Sequence, residues 1–253
     1  MSRFVIAIDG PSASGKGSLA KIIANNFSLP YLNSGALYRA VAYLLAQHFT
    51  VGEGLAVGEG LKIYPLLLSY LDDDKNTTIV KNFLPQLVGK ISTTDLEKTE
   101  LFSEEVGAIA SRIAKLPELR ALLFSFQQDF IVKGLEKSGG AVVDGRDIAS
   151  VIYPQADFKF FIQASAEVRA TRRFKQLNKN LIINDSEIAN NSDYQIILQQ
   201  IINRDKQDYN REFAPLKILP DSILISNESL ALAEVAEQMI NIINAKISLF
   251  LNQ

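Results

Sequence analysis

A glycine-rich loop at residues 10–17 has the composition and spacing of a phosphate-binding site. It reads Gly-Pro-Ser-Ala-Ser-Gly-Lys-Gly and lies between an apolar run, Phe4–Ile8, and a helix-like run, Ser18–Ala24. Glycines let successive backbone N–H groups turn inward, and the N-terminus of the following helix adds partial positive charge. Lys16 is long enough to reach the β- and γ-phosphates of a nucleotide. The segment therefore predicts that a nucleotide binds here.

The residue after the lysine indicates how this loop would hold a metal ion. Most such loops carry Ser or Thr at that position, and the hydroxyl ligates Mg²⁺. This chain has Gly17 instead. We therefore expect no direct side-chain ligand, with Mg²⁺ held through phosphates and water. A Gly/Ser-rich turn without a ligand is the alternative, but the strand–loop–helix order favours phosphate binding.

A group of arginines in the second half of the chain is the next signal. Six lie between residues 146 and 211: Arg146, Arg169, Arg172, Arg173, Arg204 and Arg211. Phosphoryl transfer requires positioning and neutralisation of charge on several phosphates, and guanidinium groups provide both. Arg169, Arg172 and Arg173 are spaced to project from one side of a helix. We expect them to approach the transferring phosphate when a following flap closes, although a solvated helix face is the alternative for Arg169.

Two further segments place charged residues together. Arg204, Asp208 and Arg211 would share a face if their segment is helical, with a structural ion pair as the alternative interpretation. Arg146 and Asp147 directly follow the apolar run Ala141–Val143. They therefore lie at the carboxyl edge of the predicted sheet, where α/β proteins bind ligands.

Alternation of short apolar runs with helical patterns predicts an α/β fold. The runs are Phe4–Ile8, Ala141–Val143, Phe158–Ala164 and Ile223–Ser226. Strands separated by helices indicate βαβ units and a parallel sheet. Between Val51 and Lys98 the pattern changes to Gly-rich and Thr/Asp-rich stretches, with Asp72–Asn76 read as a turn. We expect a small inserted subdomain with its own hairpin there, and a mobile flap at residues 178–193.

Composition excludes several classes of function. The chain has 253 residues, of which 47% are hydrophobic and 21% charged, enough to bury a full core. A net charge of −2 gives no global attraction to nucleic acid or to an anionic membrane. The absence of cysteine excludes disulfides and thiol nucleophiles, and one histidine leaves no room for a histidine metal site. Without a signal-peptide pattern or an apolar run of about 18 residues, we expect a cytoplasmic protein.

Taken together, these segments resemble the bacterial cytidylate kinases. The matching stretches are Ile8–Gly17, Tyr31–Arg39, Ala110–Ala114, Pro117–Arg120, Asp144–Ile148, Lys159–Arg173 and Arg204–Leu216. The resemblance covers nearly the whole chain except residues 51–98. It implies a single P-loop NTPase domain over residues 1–253, of three-layer α/β/α type with a five-stranded parallel sheet. The core would comprise residues 1–50 and 101–253, with an inserted, β-rich NMP-binding subdomain at about 51–100 and a lid at about 174–193.

The activity that this resemblance implies is transfer of the γ-phosphate of ATP to CMP or dCMP, in pyrimidine nucleotide metabolism. It also implies Mg²⁺ as cofactor, a monomeric state, and no nucleic-acid or membrane partner. The ATP-binding residues would be Gly10, Pro11, Ser12, Ala13, Ser14, Gly15, Lys16, Gly17 and Ser18. The catalytic residues would be Lys16, Arg146, Arg172, Arg173 and Arg211.

The resemblance also implies a set of CMP-binding residues. Acceptor-phosphate ligands would be Ser34, Arg39, Arg146 and Arg211, while Arg204 and Asp208 would lie by the sugar. The base would be read by Ser111, Arg120 and Asp147. One departure is that Asn33 stands where the family usually has Asp. Read from the residues alone, an ordinary helix N-cap is the alternative role for Ser34.

Other interpretations remain open at this point. The nearest is another small-molecule kinase on the same scaffold, using UMP, AMP or shikimate. A GTP-dependent switch protein belongs to a different class. Its guanine-reading motif is absent, because the closest match, Asn178–Leu181, lacks the required Asp. A regulatory nucleotide-binding module would keep Lys16 and lose the flap arginines, which are present here.

Overall fold

The computed structural model of the protein describes residues 3–52, 63–71, 74–178 and 185–251. The chain forms two compact units: unit 1 comprises Met1–Tyr31 and Phe130–Gln253, and unit 2 comprises Leu32–Asp129. The strands are β1 (Phe4–Asp9), β2 (Tyr31–Asn33), β3 (Gly140–Gly145), β4 (Phe158–Gln163) and β5 (Ile223–Ser226).

Ten α-helices are described. They are α1 (Lys16–Phe27), α2 (Ser34–Gly52), α3 (Ile63–Tyr70), α4 (Asp74–Gly89), α5 (Glu104–Ile113), α6 (Pro117–Ser138), α7 (Ala166–Leu177), α8 (Asp185–Ala189), α9 (Ser192–Tyr209) and α10 (Leu232–Leu251). Two 3₁₀-helices cover Thr93–Glu97 and Thr99–Phe102, and a π-helical turn covers Ile148–Ile152. Among these described helices, none has the length and apolar character to cross a bilayer.

The sheet has five strands in the order β2-β3-β1-β4-β5. Strand β1 pairs in parallel with β3 and β4, and β4 pairs in parallel with β5. The predicted α/β fold with a five-stranded parallel sheet is confirmed. In the register of β1 and β3, Asp9 stands opposite Gly145. The phosphate loop after β1 and the Arg146-Asp147 segment after β3 therefore begin side by side at the carboxyl edge of the sheet.

The core of unit 1 explains why β1 is an uninterrupted apolar run. Helices α1 and α10 pack on one face of the sheet, where Ile6 and Ile8 are buried. Val5 and Ala7, which point to the opposite face, are also fully buried. A strand covered on both faces reads as continuously hydrophobic rather than alternating.

A second, smaller core joins α7, α8 and α9. Its buried members are Ala170, Phe174, Ile188, Tyr194 and Ile201. The flap was expected to be an Asn-rich break between two helices, and α7 does end at Leu177. Part of the expected flap is nevertheless helical, because α8 lies within it and contributes buried Ile188. Residues 179–184 of the predicted lid lie outside the described part of the chain.

Unit 2 is where the sequence-based expectation is wrong. Over residues 63–71 and 74–98 the structure contains helices and a 3₁₀-helix, not the predicted hairpin or β-rich subdomain. In α4, Val80, Leu84 and Leu87 are buried and recur at helical spacing, so they form one apolar face. The run of Thr, Ile and Val at residues 77–80 has strand propensity, but helical packing overrides it. The predicted turn at Asp72–Asn76 falls partly on undescribed residues, and α4 begins within it at Asp74.

Candidate active site

The phosphate loop, residues 10–17, leaves β1 and enters α1 through two glycines with unusual backbone angles. Gly10 has φ 152° and Gly15 has φ 85°, both in the region that favours glycine. A Cβ on Gly10 would lie 2.4 Å from the carbonyl oxygen of Ile162 in β4. Helix α1 carries no acidic residue in its first turn, and Gly15 offers no capping side chain. The N-terminus of α1 is therefore suited to an external anion.

Side chains from other segments hold the loop by its carbonyl oxygens. The bonds are Arg146 Nη1 to Gly10 O (2.8 Å), Arg169 Nη1 to Ser12 O (3.0 Å) and Asn227 Nδ2 to Ser14 O (2.7 Å). In a trans peptide the N–H points opposite to the C=O. The N–H groups of Ala13 and Gly15 therefore point away from the side chains that bind the carbonyl oxygens of Ser12 and Ser14. This is the arrangement that a phosphate-binding nest requires.

Lys16 is half-buried in the phosphate loop, and charged side chains of both signs lie near it. Its Nζ donates to the carbonyl oxygen of Pro11 at 3.1 Å. Burial, and secondarily the charge of Arg146, lowers the pKa of Lys16 to about 7. Arg204 acts on the pKa of Lys16 in the same direction, while the carboxylates of Asp144 and Asp208 act against it. Cations gathered in this way favour the binding of a polyanion, because its negative charge offsets their mutual repulsion.

Three buried polar atoms near the loop have no hydrogen-bond partner among the described residues: Ser12 Oγ, Ser14 Oγ and Arg172 Nη1. An unpaired buried polar group costs about 1–3 kcal/mol, so such atoms call for an explanation. Arg172 is held beside the loop, since its Nη2 donates to Asn227 Oδ1 and to the carbonyl oxygen of Glu228, both at 3.3 Å. Each of the three groups can donate a hydrogen bond to an acceptor oxygen of a bound anion.

Asp208 joins two of the predicted phosphate-binding arginines. Its carboxylate accepts from Arg146 Nε at 2.7 Å through Oδ2, and from Arg211 Nη2 through Oδ1. Asp208 is only 1% exposed. Burial by itself would raise the pKa of Asp208, but the guanidinium groups of Arg146 and Arg211 outweigh it and the pKa is lowered. We call these three residues the Asp208 cluster.

The cluster differs in one respect from the sequence-based expectation. Helix α9 ends at Tyr209, so Arg211 lies beyond the helix rather than on a shared helical face with Arg204. The chain instead folds back, and the N–H of Leu216 donates to the carbonyl oxygen of Asp208 at 2.9 Å. The carboxylate of Asp208 also accepts from Arg146, which lies 62 residues away in sequence.

The three arginines of α7 do not form one cluster. Arg169 is buried, so the solvated helix face offered as an alternative for it is wrong. It donates to both carboxylate oxygens of Asp205, at 3.0 and 2.5 Å, which ties α7 to α9. Its bond to the carbonyl oxygen of Ser12 ties α7 to the phosphate loop as well. Arg172 contacts the segment after β5, while Arg173 donates to Gln176 Oε1 at 3.0 Å on α7 itself.

Sequence reasoning missed two residues that support the loop. Asn227 directly follows β5, and Asp205 directly follows Arg204. The signal for Asn227 was available, because it occupies the carboxyl end of a strand just as Asp147 does. Nothing in the local sequence distinguishes Asp205 from a solvent-exposed helical acid, since its partner Arg169 lies 36 residues away.

Four predicted CMP-binding residues lie in unit 2. Ser34 is the first residue of α2, and Asn33 supplies the helix cap, since Asn33 Oδ1 accepts from the N–H of Ala36 at 2.9 Å. Arg39 Nη1 donates to the carbonyl oxygens of Leu101 and Ser103, at 2.8 and 3.0 Å. Ser111 lies in α5 and Arg120 in the first turns of α6. The other five, Arg146, Asp147, Arg204, Asp208 and Arg211, lie in unit 1.

Comparison with known proteins decides the family. A family model described as cytidylate kinase matches residues 6–245. The chain belongs to the cytidylate kinase family. The matched range includes residues 51–98, which the motif resemblance did not cover. Membership in this family confirms the prediction of a nucleotide kinase over that of a GTP-dependent switch.

Individual cytidylate kinases match along almost their whole length. The chain is 36% identical to the cytidylate kinase of Pseudothermotoga lettingae over 245 residues, covering 96% of this chain and 95% of the relative. It is 35% identical to that of Clostridium tetani over 246 residues, covering 97% and 96%. With the cytidylate kinase of Cereibacter sphaeroides, identity is 34% over 245 residues, covering 96% and 97%.

Proposed function

We propose that this member of the cytidylate kinase family transfers the γ-phosphate of ATP to CMP or dCMP, giving ADP and CDP or dCDP. The observation that carries the proposal is the position of Arg146. Its guanidinium donates both to Gly10 O of the phosphate loop and to Asp208, which also holds Arg211. Arg146 thus contacts the loop that would hold the donor phosphates. Through Asp208 it is also joined to Arg211, and Arg146 and Arg211 would both bind the acceptor phosphate.

The chemistry needs alignment and charge stabilisation rather than a base. A phosphate oxygen of the acceptor is already anionic near neutral pH, and it attacks the γ-phosphorus. The bond from the γ-phosphorus to the bridging oxygen breaks, and its electrons stay with ADP. Lys16, Arg146, Arg172, Arg173 and Arg211 would stabilise the negative charge spread over the transferring group. Effective alignment of the two phosphates accounts for much of the remaining rate enhancement.

Mg²⁺ would enter with the nucleotide. Within the described residues, no group of three or more His, Cys, Asp or Glu side chains is arranged to hold a metal ion. Gly17 brings no hydroxyl to the position where many phosphate loops ligate the metal. The phosphate oxygens and water would therefore hold Mg²⁺, which supplies neutralisation of charge on the β- and γ-phosphates. Residues 10–18, which bind those phosphates, would position the ion indirectly.

From the resemblance to cytidylate kinases, we infer that Ser111, Arg120 and Asp147 recognise cytosine. Cytosine presents an amino donor and two acceptors, which a carboxylate and a guanidinium complement. Uracil would set a carbonyl oxygen against the carboxylate of Asp147. An unpaired buried polar group costs about 1–3 kcal/mol, which is about 5- to 150-fold in preference. Ser34 and Arg39 would bind the acceptor phosphate, with Arg204 and Asp208 beside the sugar.

The test is a coupled ADP-release assay with Mg-ATP and each of CMP, dCMP, UMP and AMP. We expect CMP and dCMP to be turned over far faster than UMP or AMP. No turnover of any of the four contradicts the kinase proposal, and equal turnover of UMP contradicts the base assignment.

In the same assay, Asp147→Ala should raise KM for CMP about 10- to 100-fold and KM for ATP less than about 3-fold. Equal effects on the two KM values would argue against a base-reading role.

A monomeric state and a cytoplasmic location stay predictions from the sequence and the resemblance. The division into core, NMP-binding subdomain and lid is likewise a prediction.

A further inference from the structure

Asp9 is a buried carboxylate to which the reaction above assigns no role. It is the last residue of β1 and only 4% exposed. Its Oδ1 accepts a hydrogen bond from the N–H of Ile148 at 2.9 Å, and its Oδ2 accepts from the N–H of Ala149 at 2.8 Å. Both oxygens are therefore committed to backbone groups that lie about 140 residues later in the chain.

The two N–H groups open the π-helical turn Ile148–Ile152. Within that turn, the N–H groups of Val151 and Ile152 donate to the carbonyl oxygen of Asp147, at 2.9 and 3.0 Å. The first N–H groups of a helical turn have no partner inside it and need an external acceptor. A carboxylate also suits the partial positive charge at this end. Asp9 thus caps the turn from a neighbouring strand.

The adjacent residue makes a second link to the same segment. The carbonyl oxygen of Gly10 accepts from Arg146 Nη1 at 2.8 Å. The end of β1 therefore holds the segment on both sides of Asp147: through the Arg146 side chain before it, and through the backbone of Ile148 and Ala149 after it. Asp147 lies between two fixed points.

Burial of a carboxylate at position 9 costs hydration energy that a hydrophobic side chain would not lose. Burial raises the pKa of Asp9 to about 7, and the hydrogen bonds from Ala149 and Ile148 oppose that rise. The charge of Asp147 acts with burial, and that of Lys16 acts against it. A carboxylate is the side chain that offers two acceptor oxygens to two adjacent N–H groups, which a neutral amide does not.

We propose that Asp9 is a positioning residue that places Asp147 and Arg146 for recognition of the acceptor nucleotide. The inference rests on the proposed function, because it assumes that Asp147 reads the base and that Arg146 binds the acceptor phosphate. Asp9 itself touches no substrate in this proposal and acts through the backbone of Ile148 and Ala149.

Asp9→Asn is the closest test, because the side chain keeps its size and loses one acceptor. Its amino group would face one of the two N–H groups and displace the turn. Since a shift of about 1 Å can cost about 100-fold in rate, we expect kcat/KM for CMP to fall about 10- to 100-fold. The fall should come largely from a raised KM for CMP, with KM for ATP changed less than about 3-fold.

Asp157→Asn is the matched control. Asp157 Oδ2 accepts from the N–H of Val5 at 2.8 Å, so it also holds β1 through a backbone group, at the opposite end of the strand. We expect this variant to lower the melting temperature without changing either KM by more than about 2-fold. If Asp157→Asn raises KM for CMP as much as Asp9→Asn does, general loosening of β1, rather than positioning of Asp147, is responsible.

The outcomes separate this inference from the proposed function. If the unmodified protein does not phosphorylate CMP, the proposed function fails, and this inference with it. If it does, and Asp9→Asn leaves both KM values unchanged or raises them equally, the positioning role of Asp9 is overturned while the function stands. If Asp9→Asn does not fold, Asp9→Glu replaces it, because the longer side chain keeps the charge and displaces the turn. The same split between the two KM values is then expected, and its absence overturns the proposal.

Discussion

Replacing Gly15 by alanine tests how closely the phosphate loop packs against the segment after β5. Gly15 has φ 85°, and a Cβ at this position would lie 2.6 Å from Asn227 Nδ2, closer than real Cβ contacts allow. The next nearest atom, Leu232 Cδ1, is at an ordinary 3.8 Å. Asn227 is buried, and it must give up its hydrogen bond to Ser14 O to make room.

The magnitude follows from these two effects. A non-glycine residue in the left-handed region costs about 1–2 kcal/mol. Loss of the hydrogen bond from Asn227 to Ser14 O adds about 1 kcal/mol, so Gly15→Ala should lower the free energy of unfolding by about 2–3 kcal/mol. Asn227→Ala loses the same hydrogen bond and should cost about 1–2 kcal/mol by itself. The double variant removes both the clash and the bond, so its loss should be smaller than the sum by about 1 kcal/mol.

The assay is urea unfolding of the two single variants, the double variant and the unmodified protein, followed by circular dichroism. Gly89→Ala serves as the control, because a Cβ at Gly89 would meet no atom within 4 Å. Because Gly89 is the last residue of α4 and its φ is not positive, we expect that change to leave the free energy of unfolding unchanged or to raise it by up to about 1 kcal/mol, opposite in sign to Gly15→Ala. If the losses of Gly15→Ala and Asn227→Ala add to within about 0.3 kcal/mol, the steric argument is refuted.

Two further predictions concern charge. Asp208→Asn should lower the free energy of unfolding by about 3 kcal/mol, because Arg146 and Arg211 lose a buried counter-charge; urea unfolding measures this, and a loss below about 1 kcal/mol contradicts it. The pKa of Lys16 is about 7 in the folded protein against an ordinary 10.5, so the native state binds fewer protons between these values. The contribution of Lys16 to stability therefore rises with pH across that window. Because nucleotide phosphates favour the charged amine, ATP binding near pH 8.5 should take up protons. Calorimetric heats that do not depend on the ionisation enthalpy of the buffer would contradict this.

The sequence by itself determined the phosphate loop, the parallel sheet and the family. These features are readable because their physics is local. A nest of N–H groups and a reaching lysine need only the contiguous residues from Gly10 to Lys16, flanked by a strand and a helix. A strand buried on both faces appears as an unbroken apolar run, as Phe4–Ile8 does. The motif segments that carry the family resemblance are likewise short and contiguous.

Only the tertiary structure decided which polar groups meet and what surrounds them. Arg169 and Arg173 have similar sequence surroundings, yet one is buried against Asp205 and the other donates to Gln176 on its own helix. Residues 74–89 are helical because one face of α4 is buried. The local sequence at residues 77–80 has strand propensity and so did not predict this helix. The partnership of Asp9 with the turn that follows Asp147 joins residues about 140 positions apart. Such contacts arise from the register of β1 against β3, and no local pattern encodes that register.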